Sequence, residues 1–337
     1  MDPNSAPAAI ARMLTGYWVS QMIFVAAKLD IAGLLKSGPR TTDDLAQATG
    51  THRRSLYRLL RGLAGLGIFA ETEQGTFTMT PLSEALRDDV PGSQRAMAIM
   101  SGEEHYLSWS ELLYCVQTGK TGFEKLYKML PFDYLAQHPG PAANFDAAMT
   151  SVHGRETPAM LAAYDFSGVK VLADVGGGNG SLITATLKKH PHLKGILYDL
   201  PHVIERSRAN IAAAGLADRC RCLPGSFFEK VPPGADAYLM RHIIHDWDDA
   251  ESVAILRNCR QALGDQTGAK LLILEAVIPP GNDPMFSKLL DLNMLVIPGG
   301  LERTESEYRE LFAAAGFRLN RIVPTTTEVS VIEAVPC

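Results

Sequence analysis

The chain reads as an α/β protein: a doubly wound parallel sheet in its second half, preceded by a mostly helical domain with winged-helix punctuation. Three observations predict this. Beyond residue 170, short apolar runs alternate with helix-length periodic segments, the pattern of successive βα units. The first of these runs, Val171–Val175, leads into a glycine-rich turn. Residues 41–80 carry two punctuated helix patterns and then a hairpin.

Val171, Leu172, Ala173 and Val175 lack helical spacing, as in a strand covered on both faces, and Asp174 interrupts them where the strand ends. Gly176, Gly177, Gly178 and Gly180 follow and let the backbone turn tightly and approach a ligand closely. Ser181 to His190 then has the composition of a helix whose amino end faces that ligand. A dinucleotide fingerprint needs a glycine three positions after Gly178, where Ser181 stands, so the spacing is G-x-G-x-G instead. The next strand closes on Asp199, about where a carboxylate meets ribose hydroxyls. This arrangement resembles the S-adenosylmethionine site of class I methyltransferases; a glycine loop alone also fits an ordinary strand-to-helix turn. Strands are expected at 171–175, 195–199, 219–223, 236–240 and 270–274, with helices near 181–190, 202–214 and 249–263. Ligands of such sheets lie at the carboxyl ends of the strands, which gathers Asp174, Asp199, Ser226, Phe227, Arg241 to Asp246, and Glu275.

In residues 10–36, Ile10, Met13, Leu14, Tyr17, Trp18, Met22, Val25, Leu29 and Leu34 recur at largely helical spacing. They exceed what one small domain needs to cover; a partner chain and packing on the same chain fit the pattern equally. Thr42 with Asp43 and Asp44 opens a helix that Gly50 ends, Thr51 opens a second that Gly67 ends, and residues 68–71 and 76–79 flank a turn at Gln74 and Gly75. The second helix sets Leu56, Leu59, Leu60 and Leu63 against Arg54, Arg58 and Arg61, the shape of a DNA reader. Charge argues otherwise: residues 41–90 hold five arginines against seven acids, and Glu71 and Glu73 on the wing would face phosphates. With a net charge of -5, neither nucleic acid nor an anionic membrane is expected as a partner. The five cysteines form no CxxC pair, and the most apolar segment, residues 16–35, is broken by Ser20, Gln21, Lys28 and Asp30. A cytoplasmic protein without signal peptide or membrane span is expected.

Residues 101–165 stay helical. Phe145, Met149 and Val152 recur at i, i+4 and i+7, which fits core and pocket wall alike, and Arg155 suits a cofactor carboxylate or plain solvent. Methyl transfer from a sulfonium asks the protein to align an attacking oxygen and remove its proton. His245, in RHIIHDWDD after the fourth strand, is the candidate base, and Glu275 and Glu302 would orient its imidazole and stabilise the cation. For each glutamate a helix cap or surface ion pair is the plainer alternative. His242, His245 and Asp246 adjoin as a metal site would require, but without a further ligand cluster no metal is expected.

The motifs DVGGGNG, DLPHV, HDWDD, DLNML and GGLERT together resemble the plant-type O-methyltransferase family, in the bacterial branch that includes hydroxyneurosporene, hydroxyindole and aromatic polyketide O-methyltransferases. The likeness spans nearly the whole chain. It implies a winged-helix dimerisation domain over residues 1–100, a helical substrate-pocket segment over 101–165, and a Rossmann-like methyltransferase sheet over 166–337. It implies a homodimer that uses S-adenosyl-L-methionine, releases S-adenosyl-L-homocysteine, and methylates a phenolic or enolic hydroxyl of an aromatic small molecule in secondary metabolism. His245 matches the family's base, with Glu275 and Glu302 as its flanking acids. The implied cofactor positions are Arg155, Asp174, Gly176, Gly178, Asp199, Leu200, Ser226, Phe227 and Arg241, with Asp199 on the ribose and Arg241 where plant members carry a lysine beside the adenine. Phe145, Met149, Asp246 and Asn293 fall on substrate positions. One departure is Ser226, which stands where the family usually has the aspartate of G-D-F/M-F, so an acidic contact to the adenine is missing. Two rival readings remain: a relative that uses the bound cofactor for hydroxylation or decarboxylation, and a winged-helix regulator that senses it.

Overall fold

The computed structural model describes residues 5–266 and 268–337; the extreme start of the chain, on which the expectation about a leader rests, lies outside the described residues. The chain divides into two compact units, one of residues 5–113 with Gly122–Gly154 and one of Tyr114–Thr121 with Arg155–Cys337. Residues 101–165 are thus shared between the two.

In the first unit, helices Ala6–Leu14 and Gly16–Lys28 leave Ile10, Met13, Leu14, Tyr17 and Trp18 each more than half exposed. Helix Thr42–Thr49 starts after Thr41, one residue before the expected cap: the Thr41 hydroxyl accepts from the Asp44 amide, and the Asp44 carboxylate accepts from the Thr41 amide. Helix Arg53–Gly65 follows His52 rather than Thr51. The hairpin Phe69–Glu73 with Thr76–Met79 forms as expected, and Arg40–Thr41 adds a third short strand. Leu56, Leu60 and Leu63 pack with Ile31, Leu45, Phe69 and Phe77, whereas Leu59 is only partly covered and Arg54, Arg58 and Arg61 are exposed.

The second unit takes the end of a long helix, α1 (Pro139–Ala163), and then alternates β1 (Val171–Val175), α2 (Ser181–Lys189), β2 (Lys194–Asp199), α3 (Pro201–Ala213), β3 (Cys220–Pro224), β4 (Ala237–Arg241), α4 (Asp249–Leu263) and β5 (Lys270–Ile278). Helices α5 (Phe286–Val296) and α6 (Glu305–Ala314) and strands β6 (Phe317–Pro324) and β7 (Val329–Pro336) follow, and the two-residue strand Arg303–Thr304 pairs with the end of β5. The strand order is β6-β7-β5-β4-β1-β2-β3; the five central and outer strands β1 to β5 run parallel, and β7 is antiparallel to both β5 and β6. The apolar runs of the buried strands explain why both faces are covered. Leu172, Leu197, Leu239 and Leu272 pack with Leu182, Ile183, Leu187, Ile204 and Ile211, while Ala173, Val175, Tyr238, Met240 and Ile273 pack with Ile255, Leu256, Tyr308 and Phe312 on the other face. Because β1 lies between β2 and β4, the strand order reverses there, and the crevice for a ligand opens at the carboxyl ends of these strands. Among the described residues no helix is long and apolar enough to cross a membrane.

Candidate active site

The turn after β1 has positive φ at Gly176 (70°), Gly178 (57°) and Gly180 (77°), where a side chain would be strained. A Cβ on Gly176 would lie 2.5 Å from Ile243 Cδ1, whereas one on Gly178 would meet nothing within 4 Å, so the cradle is tight beneath and open above. Asp199 is fixed by two amides: Gly178 N donates to Oδ2 (2.8 Å) and Leu200 N to Oδ1 (2.7 Å). Burial raises its carboxyl pKa against the pull of those donors. Asp174 is fully buried under the turn, and burial, opposed by the charge of Arg241, raises its pKa to about 6. Its Oδ2 has no hydrogen-bond partner among the described residues. Phe227 packs near Gly176 and Ile243, and its loop is held by Asn258, whose Nδ2 donates to the Phe227 and Phe228 carbonyls (2.8 and 3.0 Å). The Ser226 hydroxyl accepts from Phe228 N (3.3 Å).

Arg241, at the end of β4, donates from Nη1 to Thr157 Oγ1 of α1 (2.9 Å) and feels the carboxylates of Asp174 and Glu156, while burial lowers its pKa. Arg155 is exposed; the next two residues of α1, Glu156 and Thr157, are the buried ones that meet His242 and Arg241. Neither was singled out by the sequence, since nothing in the helical pattern tells an inward glutamate from an outward arginine beside it.

His245 lies in a short turn, Ile244–Asp246, after β4 and is 6% exposed. Its Nδ1 is 2.7 Å from Glu302 Oε1, and its Nε2 is 3.7 Å from Asp246 Oδ1. With Nδ1 committed to the carboxylate, Nε2 is the nitrogen left to receive a proton. Burial alone would lower the imidazole pKa, but the charge of Asp246, the hydrogen bond to Glu302 and the charge of Glu275 outweigh it and raise the pKa to about 10. Burial likewise raises Asp246 to about 6, with His245 opposing. Glu275 makes no hydrogen bond to the ring among the described residues, but its charge favours the imidazolium as expected. Its Oε1 accepts the amides of Ile243, Ile244 and His245 (3.0, 2.7 and 3.2 Å) and its Oε2 accepts from Tyr308 Oη (2.7 Å), so it clamps the backbone of the turn and influences the ring by charge alone.

The GGLERT stretch closes over this turn. Leu301 N donates to the His245 carbonyl (2.9 Å), Asp291 Oδ1 accepts from Glu302 N (3.0 Å), and the fully buried Arg303 donates to the carbonyls of Ile244 and Trp247 (3.2 and 3.1 Å) and to Asp249. HDWDD therefore divides its work: His245 and Asp246 face each other in the turn after β4, Asp248 caps α4, and Asp249 pairs with Arg303. The remaining substrate candidates are less concentrated. Asn293 is half-buried on α5, two residues after Asp291, whereas Phe145 and Met149 belong to the first unit, both half-buried, with Phe145 6.4 Å from the ring of Phe132.

Residues 11–89 match the O-methyltransferase dimerisation domain and residues 109–318 the O-methyltransferase domain. The chain belongs to the O-methyltransferase family. This O-methyltransferase is 46% identical to the phenazine O-methyltransferase PhzM of Lysobacter antibioticus, over 97% of this chain and 95% of that one. It is 38% identical to the mitomycin biosynthesis 6-O-methyltransferase of Streptomyces lavendulae, over 96% and 94% of the two chains. A crystal structure of an O-methyltransferase from neocarzinostatin biosynthesis, in complex with S-adenosylmethionine and 2-hydroxy-5-methyl naphthoic acid, matches with a TM-score of 0.84 and 34% identity, covering 95% of this chain and 96% of that one. The methyltransferase uses S-adenosyl-L-methionine, and the cradle suits that molecule: an open glycine turn, an amide-fixed carboxylate at Asp199 and a buried oxygen on Asp174 that has no hydrogen-bond partner among the described residues.

Proposed function

We propose that this methyltransferase acts on a phenolic or enolic hydroxyl of an aromatic small molecule, with His245 as the general base. The observation that carries the reading is the pairing of His245 Nδ1 with Glu302, which leaves Nε2 at the crevice end of the sheet. S-adenosyl-L-methionine, when bound, supplies an electrophilic methyl on a sulfonium. The turn at Gly176 to Gly180 and Asp199 would hold it, Asp199 accepting from the ribose hydroxyls, with Phe227 and the exposed Leu200 as apolar walls for the adenine. His245 takes the hydroxyl proton at Nε2, Glu302 stabilises the resulting imidazolium, and Asp246 adds a second negative charge. Incubation with cofactor and a library of phenols, read by mass spectrometry, tests this. A product one methyl heavier is expected; gain of oxygen or loss of carbon dioxide would establish the rival chemistry instead.

Asp199→Ala should weaken S-adenosyl-L-methionine binding by about 1.5 to 3 kcal/mol, because two ribose hydroxyls lose a charged acceptor. Calorimetric titration measures it, and unchanged affinity would remove Asp199 from the site. NAD should not compete, given G-x-G-x-G.

The exposed Ile10, Met13, Leu14, Tyr17 and Trp18, within or beside the stretch that matches a dimerisation domain, support a homodimer built through this region. Light scattering should give twice the chain mass at micromolar concentration, and Met13→Glu with Trp18→Glu should give the monomer. A wild-type monomer under those conditions would count against it.

A further inference from the structure

Ser207 belongs to none of the sequence motifs, yet it is 1% exposed in the middle of α3, the helix that follows Asp199. Its Oγ is 2.7 Å from the Val203 carbonyl one turn back in the helix and 2.7 Å from the carbonyl of Gly178 in the glycine turn. A helix carbonyl already accepts the amide four residues on, so the bond to Gly178 is the one that the hydroxyl adds. Three residues further along α3, the exposed Asn210 donates from Nδ2 to the Asn179 carbonyl (3.2 Å). Among the described residues no backbone amide donates to either of these two carbonyls. The rest of the turn is held by backbone: Gly176 N donates to the Tyr198 carbonyl (2.8 Å), and Gly180 N to the Gly177 carbonyl (3.0 Å).

Gly178 is the position at which such a brace matters. It lacks a side chain, and a Cβ there would meet nothing within 4 Å, so packing does not limit its backbone rotation. Two hydrogen bonds limit it instead. The peptide before its Cα is held by its own amide on Asp199 Oδ2 (2.8 Å), and the peptide after it by Ser207 on its carbonyl. Releasing the second lets that peptide plane turn, and the turn then presents its amide less well to Asp199. Ser207, Asn210, Asp199 and the whole glycine turn lie in the second unit.

We propose that Ser207 is a positioning residue for S-adenosyl-L-methionine, holding the Gly178 carbonyl so that the glycine turn and Asp199 stand in their binding geometry before the cofactor arrives. The proposal rests on the reading of that turn and Asp199 as the cofactor cradle. A turn without the brace has to be ordered when the ligand binds, and that ordering is subtracted from affinity. Asn210 supports the same turn more weakly, through a longer bond at a position open to water.

The test is Ser207→Ala, which leaves a good helix former in α3. In the ligand-free, full-length protein, hydrogen exchange at the Gly178 amide should lose protection by about 3- to 10-fold, the worth of one neutral hydrogen bond. Calorimetric titration should give a Kd for S-adenosyl-L-methionine raised by about the same factor. In the Asp199→Ala background the same substitution should raise Kd less than about twofold, because the bond that it protects is already gone. A merely structural serine would lower the melting temperature and move neither the Gly178 exchange nor the Kd of the folded protein. Should Ser207→Ala not fold, Ser207→Cys fills the space with a weaker donor and must shift both readouts the same way. Unchanged Gly178 protection in the folded variant overturns the proposal. So does a parental Kd in Ser207→Ala where Asp199→Ala weakens binding, or full addition of the two losses in the double variant. Lost protection with unchanged affinity in both single variants would sink the cradle reading and leave only the hold on Gly178 standing.

Discussion

With His245 as the proposed base, His245→Ala should lower kcat on a phenol by about 10² to 10⁴-fold while leaving S-adenosyl-L-methionine affinity nearly unchanged. A phenol with a pKa of about 10 is ionised roughly one part in a thousand at pH 7, so holding it deprotonated is worth roughly 4 kcal/mol. An imidazole raised to about 10 matches such a phenol, and the proton can pass between them at little cost once both are in the complex. For the intact enzyme kcat/KM should therefore rise with pH through neutrality, because the free imidazole must first lose its own proton. In the alanine variant kcat itself should climb about tenfold per pH unit until the phenol ionises unaided. A carboxylic acid acceptor, already ionised at pH 7, would show neither the loss nor the alkaline recovery. Glu302→Gln should cost less than loss of the imidazole and add almost nothing to His245→Ala, as for groups acting as one unit. Stability offers a second check. The folded pKa lies above the ordinary 6.5, so the protonated ring stabilises the fold fully below about 6.5, and that contribution falls away as pH rises toward about 10. The alkaline decline of the melting temperature should be shallower in His245→Ala. Full activity of this variant on a phenol would remove His245 from the role of base.

Gly300→Ala should be the most damaging single methyl in the second unit. Its Cβ would sit 1.9 Å from the His245 carbonyl oxygen and 2.5 Å from the Asp246 carbonyl carbon, both backbone atoms that cannot step aside as a flexible side chain can. The stretch around Gly300 must then lift from the His245 turn. That strains the Leu301 amide bond to His245, the Glu302 contact to Nδ1 and the Arg303 bonds to the Ile244 and Trp247 carbonyls. Arg303 is fully buried, and depriving a buried charge of its partners costs about 3 to 5 kcal/mol. The unfolding temperature should fall accordingly, by several degrees per kcal/mol lost, and activity should drop at least as far as in Glu302→Gln because the base loses its orienting carboxylate. Gly154→Ala on α1 is the control, with nothing within 4 Å of the added carbon. A Gly300→Ala protein with the melting temperature and kcat of the parent would show that the contact is not the latch inferred from it.

Much of this organisation could be read from the residues in order. Each of the five parallel strands gathers three or more branched or apolar residues with no helical spacing, and their observed starts fall within one residue of those expected. The C-terminal antiparallel pair carries a weaker signal, because β6 interleaves Arg318, Asn320 and Arg321 with its apolar positions and lies at the sheet's edge, where the alternation resembles solvated coil. Helix starts were read a residue late at Thr42 and early at Thr51, since threonines adjoin both true caps and only backbone geometry selects one.

The sequence by itself determined the five parallel strands, the glycine cradle, the carboxylate at Asp199 and the histidine after β4, since these follow from local pattern, spacing and strand-end position. Only the tertiary structure decided which acid serves which group. Glu275 and Glu302 look alike in sequence, yet one is spent on three backbone amides and a tyrosine hydroxyl and the other on the imidazole. Glu156, Asp291 and Arg303 acquired their roles the same way. The physical reason is that a buried charge takes whatever donors or acceptors the packed chain brings within about 3 Å, and those partners lie 11 to 86 residues away along the sequence.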